Sequence, residues 1–364
     1  MPLIWAAISG HGFGHAAQVV PVLNALGCVV PDLRVLLRTT VPASFFIDRL
    51  KIPWEASPVP QDIGCIQQGP LTINIDATWR EHHQFHSTWN ERILTEIDAM
   101  RAAKPDLILA DTPYLAIAAG KAALIPTVAL ASFTWDLILS EYPAPPSIDS
   151  RTILRSITQA YGQADLALQI TPSPVLDCFQ KVHTIGPIAE PATPARTQLA
   201  KHLGLSPGEQ TILIGFGGIP LTSLPFETLE SLSGYRFLFD GSIPLKSKRF
   251  SSAKSLPFSF KTSLASVDMV MTKPGYGTLV EAVAVQVPTV YVRRYNFGDE
   301  QSLVDYLHHY GKGIELSMDD FIKGQWATTL EKAINLPAVT PPPTPSGAHE
   351  AATVLAPYFQ RDRR

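Results

Sequence analysis

Apolar and polar positions alternate along the chain in blocks. Short apolar runs stand at Leu3–Ile8, Leu33–Leu37, Leu107–Ala110, Pro126–Leu130 and Ala164–Gln169, and again at Thr211–Ile214, Arg236–Phe239, Val267–Met271 and Thr289–Val292. Runs this short, bounded by Gly and Pro and separated by helix-period patches, predict buried strands of parallel α/β layers. The intervening patches predict a helix from the first glycine loop to about Leu26, one long helix over Trp79–Ala103, and others over Tyr114–Ala123, Ser302–Tyr310 and Phe321–Ile334. A last helix, Gly347–Phe359, carries Ala351, Ala352, Leu355 and Ala356, enough apolar surface to pack back on a domain. Residues 41–78 are Pro-rich and irregular, and read as short elements with a loop over a cleft.

The strand–helix series is interrupted at Ile185-Gly186-Pro187, where Pro187, Pro191 and Pro194 suggest a linker. Pro341-Pro342-Pro343 is a stiff, extended spacer. With 364 residues the expectation is two domains: 1–188 joined by the C-terminal helix 346–364, and 195–340. An apolar fraction of 46% and a charged fraction of 17% suit a globular protein with a substantial core. A net charge of −3 gives no reason to expect nucleic acid. Cys28, Cys65 and Cys178 are odd in number and far apart, which argues against a disulfide framework or zinc site and fits a reducing cytosol. No signal peptide and no uncharged run of about 20 apolar residues is evident, so a cytoplasmic protein is expected, with peripheral membrane contact left open.

The chemistry concentrates in Val267–Arg294, a β-α-β unit with a Gly/Pro loop. Thr278 followed by Glu281 fits a capping box and predicts a helix starting just after Thr278. Gly275 and Gly277 let backbone approach a ligand in front of that helix, whose free N–H groups favour an anion. Lys273, Arg293 and Arg294 are near enough in sequence to add positive charge. In the first half, Gly10-x-Gly12 follows a strand, but His15 stands where a dinucleotide fingerprint needs its third glycine, and the second strand ends in Arg38-Thr39-Thr40 with no acidic residue. An NAD enzyme is therefore disfavoured.

His15, on the first turn of a helix, is the leading candidate base, because the helix dipole disfavours its imidazolium form. His11 is the second candidate, and Asp111, at a strand end, could orient such a base. His82 and His86 share a helix face with His83 between them, but no further metal ligand can be named, and an exposed or acceptor-facing helix is the better reading. Trp79, Phe85 and Trp89 read as core anchors. Asp136 and Glu141, beside Trp135 and Tyr142, could line the cleft or simply pack. Ser132 lacks the Gly-x-Ser-x-Gly surroundings of a hydrolase nucleophile.

Gly10-His11-Gly12-Phe13-Gly14-His15, Ser132-Phe133-Thr134-Trp135-Asp136 with Glu141-Tyr142, Gly275-Tyr276-Gly277-Thr278, and Arg293-Arg294 with Asp299-Glu300 carry a resemblance. Together they resemble the GT-B fold of nucleotide-sugar glycosyltransferases, in the branch of the lipid II N-acetylglucosaminyltransferase. They are more closely similar to the glycosyltransferase-like N-terminal half of plant L-arabinokinase-type proteins. The resemblance implies two Rossmann-like parallel-sheet domains facing across a cleft, with a UDP-sugar or similar donor held mainly by the second. It implies Gly275–Thr278, Tyr276 and Gly277 included, at the diphosphate, where the nearby Lys273 would add charge, and Glu281 on the ribose. Glu300 and Gln301 would reach the donor sugar or ribose, and Gly217 and Gly218 would sit beside the nucleotide. No bound metal or other cofactor is implied. Glu281 could equally serve only as a helix cap, and a GT-B module of this kind could bind or regulate without catalysis.

Overall fold

The computed structural model describes every residue except 218–220, 222–223, 244–246, 338–339 and 361–364. Seven strands form the first sheet: β1 (Leu3–Ile8), β2 (Arg34–Arg38), β3 (Trp54–Ser57), β4 (Leu107–Asp111), β5 (Thr127–Ala131), β6 (Leu166–Ile170) and β7 (Val182–Ile185). They lie in the order β3-β2-β1-β4-β5-β6-β7, and every pairing is parallel. Helices cover both faces, which is why β1 and β4 read as unbroken apolar runs rather than alternating ones.

The second sheet has six strands: β8 (Gln210–Ile214), β9 (Tyr235–Phe239), β10 (Phe250–Ser252), β11 (Met269–Thr272), β12 (Thr289–Tyr291) and β13 (Gly313–Glu315). Their order, β10-β9-β8-β11-β12-β13, is again wholly parallel. Each sheet therefore reverses its strand order beside its own first strand. Open α/β sheets bind ligands in the crevice outside the carboxyl ends of the strands at such a reversal. In the first lobe that crevice is bordered by the loop after β1 and the end of β4. In the second it is bordered by the loops after β8 and β11.

Two of the expected helices, Trp79–Ala103 and Phe321–Ile334, are each broken. Residues 75–103 form Ile75–Ser87 and Trp89–Ala103. The first begins earlier than predicted because Asn74 caps it, accepting from Ala77 N at 2.9 Å. At the break, Arg92 Nε donates to the Phe85 carbonyl and the Thr88 hydroxyl, so freed backbone is satisfied by a side chain rather than by the next turn. Phe321–Ile334 resolves into Met318–Lys323 and Ala327–Ile334, interrupted at Gly324, whose φ of +73° ends the first.

The C-terminal helix, Gly347–Leu355, continues as a 3-10 turn over Ala356–Phe359 and packs on the first-lobe helix Gly14–Val29. Ala348, Ala351, Ala352 and Leu355 share one buried cluster with Val19, Val22, Leu23 and Leu26. Gly347 permits the close approach, since a Cβ there would lie 2.0 Å from the Gly186 carbonyl oxygen. Glu350 fixes the contact by accepting from Gly186 N at 2.9 Å. The same cluster runs on into Tyr276, Leu279, Val280 and Val283 of the second lobe, so the lobes share apolar core. Among the described residues, no helix is long and apolar enough to cross a membrane.

Candidate active site

The first-lobe wall is built on the loop after β1. His15 lies in the first turn of helix Gly14–Val29, and Asp111 is the last residue of β4, the neighbouring strand. His15 Nδ1 is 2.8 Å from Asp111 Oδ1, and both side chains are buried. An ionised carboxylate only accepts, so Nδ1 carries the proton and the Nε2 lone pair is left unengaged among the described residues. Burial opposes charging the ring, yet the Asp111 carboxylate and its hydrogen bond, followed by Asp62 and Asp299, outweigh it and raise the His15 pKa. This corrects the expectation from the helix dipole alone: the neighbouring carboxylate, not the helix terminus, sets the direction.

Asp62 accepts from Ser9 Oγ at 3.0 Å and Trp135 Nε1 at 2.8 Å, and burial raises its pKa. His11 Nδ1 accepts from Cys65 N at 3.3 Å, while its Nε2 lies 3.1 Å from Gln67. With Nδ1 accepting, Nε2 must carry the proton, which pairs with Gln67 only if that amide turns its otherwise unsatisfied Oε1 to the ring. Burial, with Lys273 and His15 adding to it, holds the His11 pKa well below the usual histidine value. His11 thus favours the neutral ring, with Nδ1 engaged by backbone. Gly64, at φ +71°, makes room for it, because a Cβ there would sit 2.7 Å from Nδ1.

The second-lobe wall centres on helix Tyr276–Ala284, whose N-cap is Gly275, in extended backbone with φ −143° and ψ 133°. Thr278 therefore lies inside the helix and caps nothing, a correction to the predicted start. Because the helix begins at Tyr276, the unpaired first-turn N–H groups belong to Tyr276, Gly277 and Thr278. Glu281 does not cap either: its carboxylate lies 3.2 Å from Lys261 Nζ, and Lys261 also donates to Glu190 at 2.7 Å. A Cβ at Gly12, Gly14, Gly217 or Gly277 would meet no atom of the described residues within 4 Å, so loops of both lobes border open space there. Gly217 holds φ +80°. Gly218 lies outside the described residues.

Lys273 Nζ has no hydrogen-bond or ion-pair partner among the described residues, and burial, followed by the Arg294 charge, lowers its pKa to about 7. Arg294 Nε donates to Glu300 Oε1 at 2.6 Å, its backbone N donates to Oε2 at 3.2 Å, and its guanidinium lies over the Phe297 ring. Arg293 lies 3.8 Å from the same carboxylate and donates to Gln301 Oε1 at 3.1 Å. Tyr276 turns its side chain away from the loop. Its hydroxyl donates to the Thr171 carbonyl at 2.8 Å and accepts from Ile188 N at 2.9 Å, bridging the lobes. A second bridge runs from Tyr142 Oη to the Asn296 carbonyl at 2.8 Å.

The structure thus brings His11, His15 and Asp111 together on one wall, with Lys273, Arg294 and Glu300 close to Asp299 on the other. It sets Glu281 against Lys261, and leaves Gln301 exposed. Sequence reasoning missed Asp62, which sits in the irregular stretch without any motif, and Phe297, which stacks on His11 at 6.4 Å and meets Phe133 edge-on at 5.7 Å. His82 Nε2 lies 2.9 Å from the Gly64 carbonyl, and His86 Nε2 lies 3.2 Å from Tyr114 Oη. Among the described residues, no three His, Cys, Asp or Glu side chains stand together as a metal site. Trp79 and Phe85 are buried core residues, and Asp136 accepts from Thr158 Oγ1 at 2.9 Å.

No family model matches the chain. It is distantly homologous to L-arabinokinase of Arabidopsis thaliana, at 28% identity over 337 residues, covering 90% of this chain and 32% of that protein. The chain thus spans about a third of the length of the curated relative it matches. Among solved structures, a UDP-glucosyltransferase from Polygonum tinctorium capable of glucosylating indoxyl superimposes at TM-score 0.61 with 14% identity, over 99% of this chain and 95% of that one. UGT2 of Phytolacca americana, complexed with UDP-2fluoro-glucose and pterostilbene, gives 0.59 with 14% identity over 99% and 93%. The glycosyltransferase SnogD from Streptomyces nogalater gives 0.56 with 15% identity over 98% and 100%. The chain has the GT-B glycosyltransferase fold.

Proposed function

We propose that this protein transfers a sugar from a nucleotide-diphosphate donor, with UDP-sugars the leading class, to a hydroxyl of an acceptor held by the first lobe. The observation that carries the reading is the buried His15–Asp111 pair, with its Nε2 lone pair free. In the reaction the acceptor oxygen bonds to the anomeric carbon and its proton passes to His15 Nε2. The bond from that carbon to the diphosphate breaks, and the nucleotide diphosphate leaves with the electron pair. Asp111 steadies the imidazolium that forms, which is how a paired carboxylate assists a histidine base.

The unpaired N–H groups at Tyr276–Thr278 and the Lys273 ammonium would take the diphosphate, and no metal is called for in that role. The unit 195–340 would hold the donor, and residues 1–188 with 346–364 would hold the acceptor. We place the activity in the cytoplasm, in keeping with the three scattered cysteines. A second reading, a nucleotide-sugar-binding module without turnover, draws support from the relative of which this chain matches a third, since that relative is named for a kinase activity. A thermal-shift screen of nucleotides and nucleotide sugars, followed by turnover assays on wild type and His15→Ala, tests both. Donor-dependent stabilisation with turnover lost in the variant supports transfer. Stabilisation with no wild-type turnover on any acceptor supports the module, and no stabilisation at all overturns both.

A further inference from the structure

We infer that Asp62 is a second carboxylate serving the candidate base, a positioning residue that fastens the loop leading into it and favours the imidazolium formed on proton transfer. The inference rests on the reading of His15 as the base and adds a partner to it.

Asp62 lies in the irregular stretch between β3 and helix Ile75–Ser87, apart from any motif. Its carboxylate nonetheless gathers distant parts of the first lobe. Oδ1 accepts from the hydroxyl of Ser9, the residue after β1, at 3.0 Å. Oδ2 accepts at 2.8 Å from Nε1 of Trp135, which begins helix Trp135–Ser140. The Ser9 hydroxyl in turn accepts from His11 N at 3.3 Å, and Ser9 N donates to the Asp111 carbonyl at 2.8 Å. One serine thereby ties both carboxylate residues to the loop that leads into His15. The indole held by Asp62 packs edge-on against His11 at 5.2 Å and lies 6.4 Å from the His15 ring.

Two neutral donors would be served as well by a neutral acceptor, so these hydrogen bonds alone do not call for a charge. Asp62 is 7% exposed, and burial opposes its ionisation. Both hydrogen bonds are nevertheless donated to it, the pattern that an ionised carboxylate requires. Among the described residues no lysine or arginine pairs with it. A buried anion without a counter-ion is costly, and the cost is offset by a group that becomes positive during the reaction. His15 is that group. Its charge favours ionised Asp62, and Asp62, after Asp111, favours the charged ring. A fixed negative charge that acts more strongly on the transition state than on the resting imidazole lowers the barrier. Asp111 holds Nδ1 directly, whereas Asp62 acts through space and through the loop. The other titratable groups facing the pair are His11 on the same loop, Asp299 from the second lobe, and Tyr114 and Tyr161, with Lys273 and Arg294 acting on His11.

Two readouts on wild type, Asp62→Asn and Asp111→Asn test this: the kcat/KM profile against pH, and the nitrogen-15 titration of His15 in the free protein. Asp62→Asn should move the rising limb and the His15 titration to lower pH, by less than Asp111→Asn does. The double variant should move both further than either single one. Above the limb, kcat of Asp62→Asn should fall about tenfold with nucleotide affinity kept. Asp62→Glu, which keeps the charge, should hold the limb near its wild-type position. A purely structural Asp62 would lower the melting temperature and kcat while both titrations stay in place, and that outcome overturns the inference alone. Where Asp62→Asn does not fold, His15→Gln supplies the reciprocal measurement. The carbon-13 carboxyl titration of Asp62 should then move to higher pH, and a titration that stays in place overturns the inference. Turnover retained in His15→Ala, or absent from wild type on every acceptor, overturns the base reading and this inference with it.

Discussion

The two crevices share the strand order around their reversals and differ in which of their polar groups are paired. In the first lobe the groups around the candidate base are paired, His15 with Asp111, Asp62 with Ser9 and Trp135, His11 with Cys65 and Gln67, although Asp111 Oδ2 and the Gln61 amide have no partner among the described residues. In the second, the side chains of Lys273 and Asp299 have no hydrogen-bonding partners among the described residues, and the first-turn N–H groups of helix Tyr276–Ala284 have none within the helix. One wall is organised before any ligand arrives, as a base that must not move demands. The other holds groups whose partners are expected on the substrate. Similar topology therefore does not divide the labour equally.

Substitutions can break or sharpen this contrast. The largest effect is expected at His15, where Ala should lower kcat by about 10²–10⁴-fold while calorimetry finds nucleotide affinity kept. Asp111→Asn comes next. Because Asp111 raises the His15 pKa, the rising limb of the kcat/KM profile should lie above the ordinary histidine value in wild type, as the base acts only once deprotonated. Removing that charge should move the limb to lower pH, with a loss of turnover from the disturbed tautomer. An unmoved limb would show that His15 is not the titrating base.

On the other wall, Lys273→Met should weaken UDP binding about tenfold to a hundredfold, as expected for a charge-assisted contact. With its pKa lowered to about 7, Lys273 is mostly neutral at pH 8, and a bound diphosphate should restore its proton. Titrations in buffers of different ionisation enthalpy should therefore find proton uptake in wild type and none in the variant. Tyr276→Phe should destabilise the fold by about 1–3 kcal/mol in chemical denaturation, since it strips the Thr171 and Ile188 contacts that join the walls. Thr278→Ala should cost least, within about 0.5 kcal/mol, because Thr278 caps nothing. A loss nearer the about 1 kcal/mol of a true cap would restore the capping-box reading.

Much of the fold was legible in the sequence because parallel strands covered on both faces must be apolar throughout, as Leu3–Ile8 and Met269–Thr272 are. The edge strands Trp54–Ser57, Val182–Ile185, Phe250–Ser252 and Gly313–Glu315 escaped, being three or four residues long with little burial to leave a pattern. The breaks near Thr88 and Gly324 escaped because helix periodicity continues across them in sequence. At the site, glycine loops marked both crevices, but partnerships across long separations left no trace. Nothing local to Asp62 announces Ser9 and Trp135, 53 and 73 residues away. Nor does the Asp299-Glu300 pair reveal which carboxylate Arg294 has claimed.

The return of helix Gly347–Leu355 to the first lobe means that the polypeptide passes between the walls twice, near 186–196 and again just before Gly347. A swing of the second lobe must therefore twist two neighbouring tethers at once, as a door turns on two pins. That arrangement favours rotation about a single line over free tumbling. It also means that a protease cutting only one tether would leave the halves joined.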